Sequence, residues 1–75
     1  MELKIGITGT AETIVTEALT AERAGSGTLP VFATPHMTAL MERAAWTLVQ
    51  PYLDEGKGTV GVHIAVDHTS ATPWA

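Results

Sequence analysis

A threonine, a glutamate and a histidine stand at spacings that could bring them to one reaction centre: Thr34, Glu42 eight residues on, and His68 twenty-six residues beyond that. A carboxylate can attack an electrophilic carbon or activate a water against it, and a histidine can carry the proton that such a reaction moves. Thr34 belongs to Val31-Phe32-Ala33-Thr34-Pro35 and His68 to Asp67-His68-Thr69-Ser70-Ala71-Thr72-Pro73. Each also has a plainer reading. Thr34 before a proline caps helices, a glutamate flanks many amphipathic helices in solvent, and a lone histidine at a strand end is commonly just hydrogen-bonded. Spacing by itself leaves both sets of readings open.

The element that must position Thr34 and Glu42 is a helix. Met37, Leu40, Met41, Ala44, Ala45, Leu48 and Val49 follow the i, i+3, i+4, i+7, i+8 pattern of one apolar stripe. Thr34 is expected as its N-cap, Pro35 as its first helical residue, and Pro51 as its end. On the helical wheel Glu42 falls at the edge of the stripe beside Met41 and Ala45. Thr34 lies at the positive end of the helix dipole, where backbone N–H groups can hold an oxyanion. Trp46 falls opposite the centre of the stripe, an odd place for a tryptophan unless another segment or subunit covers it.

His68 must come from a strand. Val60, Val62, Ile64 and Val66 alternate as the inward face of one, after the polar turn Asp54-Glu55-Gly56-Lys57-Gly58, and His68 shares that face. An earlier strand is expected from Leu3, Ile5 and Ile7, continuing through Thr10 to Thr16 with a bend near Gly9. Thr20 to Gly25 reads as one helical turn, capped by Thr20 and stopped by Gly25, and 26–30 as a loop.

Composition narrows the function classes. With 75 residues the chain is a single domain that buries only about 60–65% of its unfolded surface. The 45% hydrophobic content is that of a globular chain, and the absence of cysteine removes disulfides and thiolate metal sites. A net charge of -4 with four lysines and arginines provides no basic stripe for nucleic acid. Neither a leader before a long apolar run nor a run of about 20 apolar residues is present, so the default expectation is a cytoplasmic protein. No metal or cofactor is expected: His63 and His68, five apart on a strand, point to opposite faces, and His36 sits in the first helical turn. Gly25-Ser26-Gly27 lacks the lysine of a phosphate loop, and no G-x-S-x-G elbow occurs.

Three separated segments carry a resemblance. Val31-Phe32-Ala33-Thr34, then Ala39-Leu40-Met41-Glu42, then Gly61 with His68-Thr69-Ser70-Ala71-Thr72-Pro73 resemble the fluoroacetyl-CoA thioesterase family of hot-dog proteins, over about Leu29 to Pro73. The resemblance implies an α+β hot-dog fold, a long helix wrapped by an antiparallel sheet, in a homodimer that hydrolyses a short acyl-CoA thioester. It implies Thr34, Glu42 and His68 as the catalytic set, with Gly61, Phe32 and Pro35 against the substrate. Where the family's fluoroacetate enzyme has phenylalanines gating its acyl pocket, this chain has Gly25 and Thr28. A more general short acyl-CoA substrate is therefore expected, or a non-catalytic acyl-CoA-binding or oligomerisation module. Residues 1–75 read as one partial domain, because a hot-dog subunit continues into further strands past Ala75. The expectation is a fragment, or an oligomer that shares strands between chains, with an inactive fragment of a longer enzyme as a third functional reading.

Overall fold

Thr20 is fully buried and organises the first half of the chain. Its hydroxyl donates to the Glu17 carbonyl at 2.7 Å and accepts from the Arg23 N–H at 3.4 Å, capping the short helix α1 (Ala21–Ala24). Gly25, at φ 75°, ends α1 in the left-handed conformation that a residue without a β-carbon adopts at least cost. A 3-10 turn at Glu17–Leu19 precedes α1, and an exposed Arg23–Glu17 ion pair at 3.3 Å spans the two. The computed structural model describes residues 3–74; Met1, Glu2 and Ala75, on which the leader and chain-end expectations partly rest, lie outside the described residues.

Helix α2 (Thr34–Val49) is the main element, and it starts one residue earlier than its pattern predicts. Ala33 is the N-cap and Thr34 already the first helical residue, so the Thr34 hydroxyl is not used to cap the helix. Pro35 follows in the first turn, where its missing N–H removes no intrahelical bond. At the other end the chain tightens into a 3-10 turn, Gln50–Tyr52, because Pro51 has no N–H to continue the α-helical ladder. The N-terminal segment crosses α2 near its end. A β-carbon at Gly9 would come within 3.0 Å of the Ala44 carbonyl oxygen and of Leu48 Cβ, so glycine permits that crossing. Arg43 Nη2 fastens the same segment by donating to the Glu12 carbonyl at 3.1 Å.

The two expected strands are not formed: among the described residues the segments at 3–16 and 57–69 join no ladder. The first bends at Ile5 and Gly6, with Gly6 at φ 95°, rather than near Gly9. The second leaves Val60 and Val62 at 86% and 93% exposure. Alternation in a sequence marks which side chains would share a face, but a strand also needs a neighbour to hydrogen-bond, and here it finds none.

Two isolated antiparallel bridges, Thr20 to Phe32 and Val31 to Pro73, take the place of a sheet. Val31–Ala33 runs extended between two other segments and alternates its bonds as an extended chain must. On one side Ala21 N–H donates to Val31 O at 2.8 Å and Ala33 N–H to Leu19 O at 2.9 Å. On the other Phe32 N–H donates to Thr72 O at 2.7 Å. The buried residues, Thr20, Phe32 and Ala33, lie at this junction.

Elsewhere the surface is unusually apolar. Leu3, Ile5, Ile14, Leu29, Met41, Trp46, Val60, Val62, Ile64 and Trp74 are all exposed. The chain presents 5911 Å² to solvent, where a closed monomer of its mass presents about 4,400 Å². Its radius of gyration is 14.8 Å, against about 11 Å for a compact chain of this length. Among the described residues no helix is long and apolar enough to cross a membrane.

Candidate active site

Thr34 Oγ1 and His68 Nδ1 are 2.8 Å apart. Local structure explains the meeting. The early start of α2 frees the Thr34 hydroxyl from capping, and the Phe32–Thr72 hydrogen bond returns the 68–73 segment to the beginning of the helix. The pair borders a pocket of about 200 Å³ walled by Phe32, Val31 and Ala71. The contact fixes the imidazole in either tautomer. If Thr34 donates, Nε2 carries the ring proton; if Nδ1–H donates, Nε2 presents a free lone pair.

Glu42 lies apart from that pair. Eight residues of α-helix separate Thr34 from Glu42, about 12 Å along the axis at 1.5 Å per residue. Glu42 lies against Gly61 instead: a β-carbon there would fall 2.6 Å from Glu42 Oε2. Glu42 and Gly61 border a cleft of about 590 Å³, walled on the helix side by Met41, Ala45, Trp46 and Val49 and on the other by 59–61, His63 and Ile64.

Of the remaining sequence-derived candidates, Phe32 is buried beside the Thr34–His68 pair. Pro35 is exposed in the first turn of α2 and borders neither the pocket nor the cleft. Sequence reasoning missed His63 and Trp46 as neighbours of Glu42. Trp46 was legible, since it stands four residues after Glu42 and so on the same side of the helix. His63 was signalled only by its odd register against His68, which sends the two histidines to different places. Among the described residues no three His, Asp or Glu side chains converge as metal ligands would.

The structure brings Thr34 and His68 together at a helix N-terminus and leaves the Glu42 carboxylate at a separate apolar cleft. Such groups can polarise a carbonyl, deliver a nucleophile and shuttle a proton. Residues 15–75 match the family model described as fluoroacetyl-CoA-specific thioesterase, and the chain belongs to that family. A fluoroacetyl-CoA thioesterase of Streptantibioticus cattleyicolor is 51% identical over 43 residues, which are 57% of this chain and 31% of that protein. The match thus spans about a third of the length of the curated relative. No solved structure matches the chain.

Proposed function

We propose that the chain acts in the hydrolysis of an acyl-CoA thioester to the free acid and CoA, on a hot-dog framework completed by a second copy. The observation that carries this reading is the Thr34–His68 contact at the N-terminus of α2, inside the segment that matches the thioesterase family. The named activity of the Streptantibioticus cattleyicolor relative supports the same reaction class. Glu42 either activates a water against the acyl carbon, so that the C–S bond breaks as the C–O bond of the acid forms, or attacks that carbon itself to give a mixed anhydride with loss of the thiolate, which a water then hydrolyses to the acid and free Glu42. The departing thiolate takes its proton by way of His68, which Thr34 orients. Backbone N–H groups at the start of α2 stabilise the oxyanion. The Glu42 carboxylate lies against Gly61, apart from the pair, and a bound thioester and its water would have to span that separation.

The separation of Glu42 from the pair, together with the exposed apolar residues, favours a second reading: a non-catalytic acyl-CoA-binding or oligomerisation module. Free CoA released from short acyl-CoA thioesters decides between them, measured on the chain beside Glu42→Gln and His68→Ala. Turnover lost in both variants establishes the hydrolase with this residue set. No turnover by the unmodified chain, with acyl-CoA still bound, establishes the module.

A further inference from the structure

We infer that a pocket between the N-terminal segment and α2 binds a free short-chain carboxylate of about three to five carbons, away from both the Thr34–His68 pair and the Glu42 cleft. The pocket holds about 220 Å³, shares only Phe32 with the one beside the pair, and shares no residue with the cleft. That volume lies below the range of drug-sized ligands, so its occupant is small. Its apolar members are the more covered ones: Phe32 is buried and Leu19 and Leu40 are half-buried. Its polar members are the half-buried His36 and the exposed Thr13 and Arg43. An apolar body with one charged end fits that order. The binding does not depend on the hydrolase reading.

Charge selects an anion. Among the described residues no Asp or Glu lines the pocket, although the chain as a whole carries a net charge of -4. Arg23 and Lys57 face Glu17 and Asp54 at 3.3 and 3.6 Å, whereas Arg43 forms no ion pair among the described residues. Its Nη2 donates to the Glu12 carbonyl at 3.1 Å, a neutral acceptor that holds the guanidinium without cancelling its charge. A guanidinium has five N–H donors in a fork that matches a carboxylate, so donors remain for a ligand. His36 and Arg43 stand seven residues apart, two turns of α2, and border one helix face with Ala39 and Leu40 between them. The carboxylate docks on Arg43 and its alkyl body lies on Leu19, Phe32 and Leu40, where inorganic phosphate has nothing to bury. The His36 ring and the Thr13 hydroxyl offer further donors.

The test is an NMR titration of the full isotope-labelled chain with sodium butanoate at constant ionic strength, beside butanamide and inorganic phosphate. Butanoate should shift the backbone amides of Leu19, Leu40 and Arg43 saturably, with a dissociation constant in the millimolar range that so small a ligand allows. It should bind about three- to tenfold more tightly than butanamide or phosphate, the size of a charge-assisted contact at an exposed rim. Arg43→Gln removes the charge and keeps an N–H for the Glu12 carbonyl, and should weaken butanoate by the same factor. Ala39→Phe fills the pocket from an exposed position and should abolish the saturable shifts.

Saturable shifts at the pocket amides that disappear in Ala39→Phe support the site. Should Arg43→Gln loosen the N-terminal segment, Ala39→Phe still decides, because Ala39 makes no side-chain bond to that segment. Shifts centred on Thr34 and His68 instead would place the acid at the reacting pair and overturn the separate pocket. Butanamide binding as tightly as butanoate overturns the role of Arg43. Phosphate binding as tightly as butanoate overturns the carboxylate assignment and leaves an adventitious ion only. The absence of saturable shifts overturns the whole. CoA release from acyl-CoA thioesters is a separate measurement, so loss of the hydrolase reading leaves each of these outcomes unchanged.

Discussion

Thr34 Oγ1 and His68 Nδ1 meet at 2.8 Å across thirty-four residues of sequence, and the backbone rather than the pair itself holds them there. Phe32, two residues before Thr34, donates its N–H to the carbonyl of Thr72, four residues after His68. The hydroxyl and the imidazole are therefore brought together by a clasp that neither side chain forms. This separates a test of chemistry from a test of folding.

In a Thr34→Val variant the shape is kept and the hydrogen bond is lost. Because Thr34 is exposed and Ala33 holds the cap position, stability should change by less than about 0.5 kcal/mol in a urea titration. The kcat for CoA release should fall about ten- to a hundredfold with KM little changed, less than the full contribution of a general acid or base. Parallel loss of helical circular dichroism and activity would show Thr34 to be structural instead.

Gly61→Ala places a methyl group 2.6 Å from Glu42 Oε2. The carboxylate is the free end of a flexible side chain, so it swings away and the fold survives. We expect kcat/KM to drop by up to about a hundredfold, the loss a misplacement of about 1 Å can cause. Adding Glu42→Asp withdraws the carboxylate by one CH₂, and the double variant should lose less than the two single losses together. Strict additivity would mean that the two residues do not act on each other.

Thr20→Val tests the other half of the molecule. The residue is fully buried, donates to Glu17 O and caps α1, and losing both bonds costs about 1–2 kcal/mol. A lowered urea midpoint with kcat preserved at low denaturant is the expected result, and an unchanged midpoint would show the Thr20 junction to be dispensable.

Exposed Val60, Val62, Trp46 and Ile14 predict association. Light scattering at micromolar concentration should return twice the 7.9 kDa chain mass or more. Val62→Lys should shift it toward the monomer, since a charge at a buried contact is costly. A monodisperse unmodified monomer would remove the homodimer from the proposal.

Local chemistry was readable in the sequence and long-range pairing was not. The Met37 to Val49 stripe, the Thr20 cap and the Gly25 stop depend on neighbours within four residues, and all three are present. The helix start was misplaced by one residue because Thr34 and Ala33 both precede Pro35 closely enough to cap, and propensity favours threonine. The strand expectation at Val60 to Val66 failed for the opposite reason: alternation carries no information about which segment answers it. The nearness of Thr34 to His68 could not come from spacing, since it depends on the Phe32–Thr72 hydrogen bond. His63 beside Glu42 was likewise hidden, because the path of 57–63 over α2 is irregular.

That single clasp also sets an order of events. Helix α2 needs only contacts a turn away and forms early, whereas joining Phe32 to Thr72 closes forty residues of chain at an entropic cost of about 3 kcal/mol. The hydroxyl–imidazole pair is therefore expected to assemble after α2 and to dissolve before it. Warming the protein should silence it while α2 is still wound, so the temperature at which function fades measures ring closure and not the melting of the helix.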